Sequence, residues 1–314
     1  MPVRSEFIFN EAPFPSCHAS TIVETRTGTL LAAWFGGSHE GANDCCIYLS
    51  RKQTPNWSTP IKIVQGLDPD NASVPCWNPV LFETQTGHLL LFYKAGNHIQ
   101  TWKGFLIRSQ DDGQTWTPPE PLPKNILGPI KNKPIELDGK IIAGSSEEQH
   151  GWTVHFEWSP DEGKTWDRTP PLNEPNEIGA IQPCLLPAPN RVIKALGRTN
   201  QGKVFYTESQ DHGHTWDPLR LLDVPNPNSG IDAVTLKSGE YVLAYNDSET
   251  KRTPLALATS QDGITWRRRL TLESEHGEFS YPATIQTRDG QIHVTYTWNR
   301  THIKHVVLDV QDLV

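Results

Sequence analysis

One short motif recurs four times in this chain. It reads SQDDGQTW at Ser109–Trp116, SPDEGKTW at Ser159–Trp166, SQDHGHTW at Ser209–Trp216 and, one residue shorter, SQDGITW at Ser260–Trp266. The first serines lie at 109, 159, 209 and 260, so the spacings are 50, 50 and 51 residues. A period of that length with a strand-turn signature in every unit restricts the chain to a repeat architecture.

Each unit carries the same order of segments: a β-prone run, a Gly-bearing turn, a more apolar run, a loop, a third run ending in the motif and a short outer run. In the first unit these are Ser20–Thr25, Thr29–Gly36, Cys45–Arg51 and Ser58–Val64. The turn TRTG (Thr25–Gly28) recurs as TQTG (Thr84–Gly87), LDG (Leu137–Gly139), KSG (Lys237–Gly239) and TRDG (Thr287–Gly290). Short β runs joined by such turns are hairpin signals. Six inner strands are expected, beginning near His18, Asn78, Lys133, Gln182, Ser229 and Tyr281. SRKQTPNW (Ser50–Trp57) looks like a decayed copy of the motif. The sixth unit is one strand short, and the N-terminal run Val3–Phe9 can supply it, which closes the ring and leaves no free sheet edge. The expectation is an all-β, six-bladed β-propeller over residues 1–314, one domain with almost no helix. Asp111, Asp161, Asp211 and Asp262 are read as builders of outer turns, and the motif tryptophans as packing between blades.

Composition narrows the function classes. The 314 residues carry a formal net charge of −8, which argues against a nucleic-acid surface. No apolar run approaches the roughly 20 residues needed to cross a membrane. The opening MPVRSEFIFN has no hydrophobic signal core, so a cytoplasmic protein, or one trimmed of a leader, is expected. Five scattered cysteines (Cys17, Cys45, Cys46, Cys76, Cys184) follow no metal-ligand spacing and read as buried thiols. The histidines are dispersed too, and no metal or cofactor is expected.

In a propeller, the starts of the inner strands and the loops between second and third strands meet at one mouth of the channel. The strand starts offer His18, Trp77, Asn78, Lys131, Lys133, Gln182, Asn228, Asp232 and Tyr281. The loops offer, among others, Glu40, Asp44, Lys94, Glu147, Glu148, Arg198, Asn246, Arg252 and Arg300. A solvated rim is the plain reading. Arginines and a tyrosine at matched blade positions favour a site for an acidic sugar, which needs bidentate capture, proton transfer and stacking.

On these residues the chain resembles the sialidase (neuraminidase) superfamily, in particular its bacterial members with BNR or Asp-box repeats. The resemblance spans all six units. It implies an arginine triad that grips the substrate carboxylate. GRTNQGKVFYTESQDHGHTW (Gly197–Trp216) is similar to the segment of the second arginine and places it at Arg198; KRTPLALATSQDG (Lys251–Gly263) places the third at Arg252. FSYPATIQTRDG (Phe279–Gly290) is similar to the segment of the tyrosine nucleophile and places it at Tyr281. The loop GGSHEGAND (Gly36–Asp44) corresponds to that of the acid/base, with Glu40 the first candidate and Asp44 the second.

Two departures stand out. Where the first arginine is expected, PSCHAST (Pro15–Thr21) puts His18, and where a glutamate would activate the tyrosine, IQPCLL (Ile181–Leu186) puts Gln182, which accepts no proton. A histidine at a channel mouth titrates near neutral pH and can act as acid or base. Lys133 and Lys94 can restore positive charge, as point charges without a planar fork. With Asn78, Trp77 and Asn246 they complete the expected binding set. The expected partner is an acidic oligosaccharide, bearing a sialic, keto-acid or uronic sugar. The expected activity is that of an exo-acting glycoside hydrolase, the alternatives being a lyase on uronate-containing glycans and a carbohydrate-binding propeller without chemistry.

Overall fold

The computed structural model describes residues 3–53 and 55–313. Their strands form six small antiparallel sheets. The inner strands are Ser16–Glu24, Cys76–Glu83, Ile135–Leu137, Ala180–Pro187, Asp232–Thr235 and Phe279–Gln286. Each is followed in sequence by the second and third strands of its own blade. The sixth blade is completed by Arg4–Phe7, which pairs antiparallel with His302–Leu308, Arg4 opposite Val307 and Phe7 opposite Lys304. This is the six-bladed propeller expected from the repeat, with its ring closed by the N-terminal strand. Two 3-10 turns, Pro189–Arg191 and Val310–Leu313, are the helical segments among the described residues.

The motifs act as latches. In the first, Asp111 Oδ1 accepts from Thr115 N at 2.8 Å, Ser109 Oγ accepts from Gly113 N at 2.8 Å, and Trp116 Nε1 donates to Gly113 O at 3.1 Å. The next residue along reaches back to the preceding blade: Asp112 accepts from Thr27, Glu162 from Thr86, and His212 lies 3.2 Å from Asp138. The tryptophans lie against the preceding blade as well. Trp216 stacks on Phe156 at 3.6 Å between centroids, and Trp166 meets Phe92 edge-on at 5.9 Å. All four are half-buried rather than fully enclosed.

The Gly turns form a second ring. The N–H groups of Arg26, Gln85, Lys237 and Arg288 each donate to a side chain at the end of the next inner strand: Glu83 at 2.8 Å, Glu136 at 2.7 Å, Gln286 at 2.7 Å and Glu24 at 2.8 Å. The last bond joins blade six to blade one with the chemistry used between sequential blades. Gly87 (φ +90°) holds a left-handed backbone that side-chain-bearing residues rarely adopt, and the exposed Arg26 guanidinium lies across it. The decayed motif forms a tight hairpin instead, with Lys52 opposite Trp57; its Thr54 lies outside the described residues. All five cysteines are buried free thiols.

Candidate active site

Four inner strands are interrupted at the same height. The ladder slips between His18 and Thr21, Trp77 and Val80, Ile181 and Cys184, and Ser280 and Ala283. Each bulge holds one residue in the left-handed region: Ala19 (φ 57°), Asn78 (34°), Gln182 (58°) and Tyr281 (54°). In three of the four, proline follows (Pro79, Pro183, Pro282), tolerated because a bulge needs no ladder N–H. The freed backbone groups bond to neighbouring blades. Ala19 N donates to Thr297 Oγ1 at 3.2 Å, Gln182 N to Ser146 Oγ at 3.2 Å, and Gln182 O accepts from Asn132 Nδ2 at 3.0 Å. A left-handed non-glycine residue costs about 1–3 kcal/mol and persists where its surroundings over-determine it, typically at functional sites.

Tyr281 stands at the centre of this level. Its hydroxyl accepts from Arg198 Nη1 at 2.6 Å and from Gln182 Nε2 at 3.3 Å. The guanidinium carbons of Arg198 and Arg252 each lie 5.7 Å from its ring centroid, and Lys131 Nζ lies 5.8 Å from it. Arg198 also donates to Asn228 Oδ1 at 2.7 Å and Gln182 Oε1 at 3.2 Å, and its guanidinium lies 5.0 Å above Trp152. Arg252 donates to Glu278 Oε1 at 2.8 Å and to Asn228 O at 3.4 Å.

A third arginine completes the group, and sequence reasoning gave it no role. Arg300 Nε donates to Glu278 Oε1 at 2.7 Å, and its Nη1 donates to Glu40. Burial favours a protonated Glu278, but Arg300 and Arg252 outweigh it and hold the carboxyl below its usual range. The signal was a loop position: Asn299 (φ 49°) and Arg300 (φ 60°) form the tight turn between the second and third strands of blade six.

His18 lies beneath these groups and is 1 % exposed. Its ring centroid is 4.1 Å from that of Tyr281, and Nδ1 is 2.9 Å from Thr297 Oγ1. Burial first, then Arg300, Arg252, Arg198 and Lys131, push its pKa well down, so the ring is neutral. It is a floor residue, enclosed rather than presented to a ligand. Lys131 is buried as well, donating to Asn132 Oδ1 and Ile231 O at 2.9 Å each; burial lowers its pKa to about 8.

Several expected binding residues are used elsewhere. Lys133 pairs with the buried Asp232 at 2.8 Å in the channel wall. Lys94 is fully buried, donating to Pro129 O, and desolvation lowers its pKa to about 7. Trp77 donates to Gly96 O at 3.0 Å and packs edge-on against Trp102, under the Gly41 loop. Asn246 is buried and ties blade five to blade six through a 2.8 Å bond to Phe279 O. Asn78 occupies its bulge and is 6 % exposed. Asp44 accepts from Ser38 N at 3.0 Å and from the Ser38 hydroxyl; these bonds hold its pKa low, making it a clasp within its own loop. Glu40 reaches the arginine group as the partner of Arg300.

Glu148, in the loop of blade three, differs from the other mouth carboxyls. It is half-buried in the same loop as Trp152, whose ring carries the Arg198 guanidinium; desolvation outweighs the pull of Arg198 and raises its pKa. Its neighbour Glu147 pairs with Arg168 at 2.6 Å. A cleft of about 570 Å³ opens between blades two and three, lined by Trp102, Leu122, Lys124, Glu147 and Glu148. Among the described residues, no three His, Cys, Asp or Glu side chains gather as ligands for a metal ion.

Known proteins match the whole of this architecture. No curated protein sequence matches the chain. Among solved structures, a protein of unknown function from Dyadobacter fermentans superposes with a TM-score of 0.82 at 17% identity, covering 98% of this chain and 100% of that one. The NanB sialidase of Streptococcus pneumoniae gives a TM-score of 0.80 at 14% identity, over 98% of this chain and 71% of that one. The intramolecular trans-sialidase of Ruminococcus gnavus gives 0.80 at 12% identity, over 98% of each. At such identities the likeness is one of fold. The BNR repeat-like domain profile matches residues 28–294, and the chain therefore belongs to that family, as a sialidase-like β-propeller.

Proposed function

We propose that the chain is a glycosidase of the sialidase type that removes an acidic sugar from a glycan end. The observation that carries this reading is the gathering of three arginines beside Tyr281: Arg198 bonds its hydroxyl, Arg252 lies 5.7 Å from its ring, and Arg300 shares Glu278 with Arg252. Three guanidinium groups in one half-buried recess need an anion, and a planar carboxylate matches their forks. Glu278 and Glu40 hold Arg252 and Arg300 in place before a ligand arrives. The hydrogen bonds of Arg198 go to amide and phenol oxygens, leaving its charge for the ligand. With the sugar carboxylate on this clamp, the Tyr281 oxygen lies beneath the ring. A phenol suits attack on a carbon bearing a carboxylate, where an anionic nucleophile would be repelled. Glu40, bound to Arg300, serves the clamp in this reading.

One observation favours a second reading. Arg198 belongs to the clamp and also bonds Tyr281, while Gln182 donates to that oxygen where a proton acceptor would be needed. A cation that neutralises a carboxylate beside a tyrosine is also what β-elimination from a uronate requires.

Mass spectrometry of products from sialylated and uronate-terminated oligosaccharides tests both. Products that together gain one water, absent with Arg198→Ala, support the hydrolase. Unsaturated products without added water support the lyase. Binding without any product overturns both in favour of a lectin.

A further inference from the structure

We propose that Glu148, rather than a carboxyl of the blade-one loop, gives the proton to the departing glycosidic oxygen, and that the cleft between blades two and three receives the leaving group. This rests on the reading of the mouth as a site of glycosidic cleavage.

The geometry comes from position. Glu148 lines the cleft, and its own loop runs on to Trp152, whose ring lies 5.0 Å from the Arg198 guanidinium at the edge of the recess. A sugar whose carboxylate lies on the arginines and whose neighbouring residue occupies the cleft has its connecting oxygen at that edge. Four other carboxyls near the mouth are committed. Glu40 binds Arg300; Glu278 binds Arg252, Arg300 and the Ser280 hydroxyl; Asp44 is clasped by Ser38; Glu147 is paired with Arg168. An acid must also hold a proton near its working pH, and desolvation shifts Glu148 in that direction. The charged groups around it are Arg198 on the recess side and Glu147, Lys103 and Lys124 along the cleft.

The step balances. The bond from the anomeric carbon to the leaving oxygen breaks with its electron pair on that oxygen. The Glu148 proton joins it, and the leaving group departs as an alcohol. Overall one water is consumed: its oxygen is retained on the freed sugar, and its surplus proton restores Glu148 through solvent. The cleft wall, with Trp102 and Leu122 beside Lys124, offers apolar surface to a sugar face and a cation to a polar or acidic substituent.

Leaving-group dependence tests the assignment. Wild type, Glu148→Gln and Glu40→Gln are compared on 3′-sialyllactose and 4-methylumbelliferyl N-acetylneuraminate, and on a glucuronate-terminated disaccharide and 4-methylumbelliferyl glucuronide. An aryl leaving group departs without a proton. Glu148→Gln is expected to lower kcat on the oligosaccharide by about 10²- to 10⁴-fold, the usual contribution of a positioned acid. On the aryl glycoside the fall is expected to be under about tenfold, with KM little changed in both cases, and the alkaline limb of the pH profile lost. Thermal melting checks that the variant is folded. If Glu40→Gln shows this selective loss and Glu148→Gln does not, the Glu148 assignment is overturned while the functional reading stands. A wild type that cleaves none of the four substrates overturns both.

Discussion

The Arg198 guanidinium donates a 2.6 Å hydrogen bond to the Tyr281 hydroxyl across 83 residues of sequence. Arg198 comes from the second strand of blade four and Tyr281 from a bulge in the inner strand of blade six. The contact exists because the bulge at Tyr281–Pro282 turns the phenol into the channel mouth, where the Gln182–Pro183 bulge has done the same for the amide beside it. Arg198 touches both side chains at once.

Removing that guanidinium should be felt in binding. Arg198→Ala is expected to weaken binding of an acidic sugar by about 10- to 100-fold, the worth of one or two charge-assisted hydrogen bonds. Arg300→Ala should act in the same direction and loosen Arg252, since Glu278 bridges the two. Calorimetric titration measures this, and unchanged affinity in both variants would remove the clamp.

Stability should depend on the latches unequally. Trp216→Ala removes a stack at 3.6 Å between centroids. It is expected to cost about 2 kcal/mol, less than the roughly 3–5 kcal/mol of a fully buried tryptophan because the side chain is half-buried. Ser209→Ala, which breaks the 2.8 Å bond from Gly213 N, should cost about 1 kcal/mol. Urea unfolding distinguishes the two, and a larger loss at Ser209 would contradict the account.

Acid should destabilise the protein before its carboxylates titrate. Burial lowers the pKa of His18 well below the usual imidazole value, that of His293 to about 3, and that of His305 as well. All three bind a proton less readily in the fold than in the unfolded chain, His305 against the pull of Glu6, and so take up protons on unfolding. Stability therefore falls as pH drops below about 6.5, by up to ~1.4 kcal/mol per pH unit for each histidine. Lys94 and Lys131, lowered to about 7 and 8, exert most of their effect above this window. Denaturant unfolding at pH 7 and pH 5.5 should show a smaller loss for His18→Gln than for wild type. Equal losses would show that His18 is charged in the fold.

The repeat made the propeller legible because the latch chemistry is local: a serine, aspartate, glycine, threonine and tryptophan within eight residues dictate a turn wherever they occur. The inner-strand starts followed from the same period; that Asn78–Pro79, Gln182–Pro183 and Tyr281–Pro282 are bulges is seen only in the structure. Arg198, Arg252, Gln182 and Tyr281, which the family resemblance singled out, lie together in the structure. Arg300 was placed in a mouth loop but given no role, because the role comes from Glu278 and Glu40, far apart in sequence. Lys94 and Asn246 misled because they stand at strand ends near the mouth. Their side chains turn between blades, Lys94 to Pro129 O and Asn246 to Phe279 O. Strand parity decides such cases, and it depends on where the ladder begins.

The central claim is that the mouth recognises a carboxylate on a sugar. The most direct measurement is calorimetric binding of N-acetylneuraminic acid and glucuronic acid, each against its methyl ester, to wild type and Arg198→Ala. The account predicts that wild type binds at least one free acid, that its ester binds at least tenfold more weakly, and that Arg198→Ala abolishes the difference. Equal affinity of wild type for acid and ester, or binding of neither acid, would contradict it.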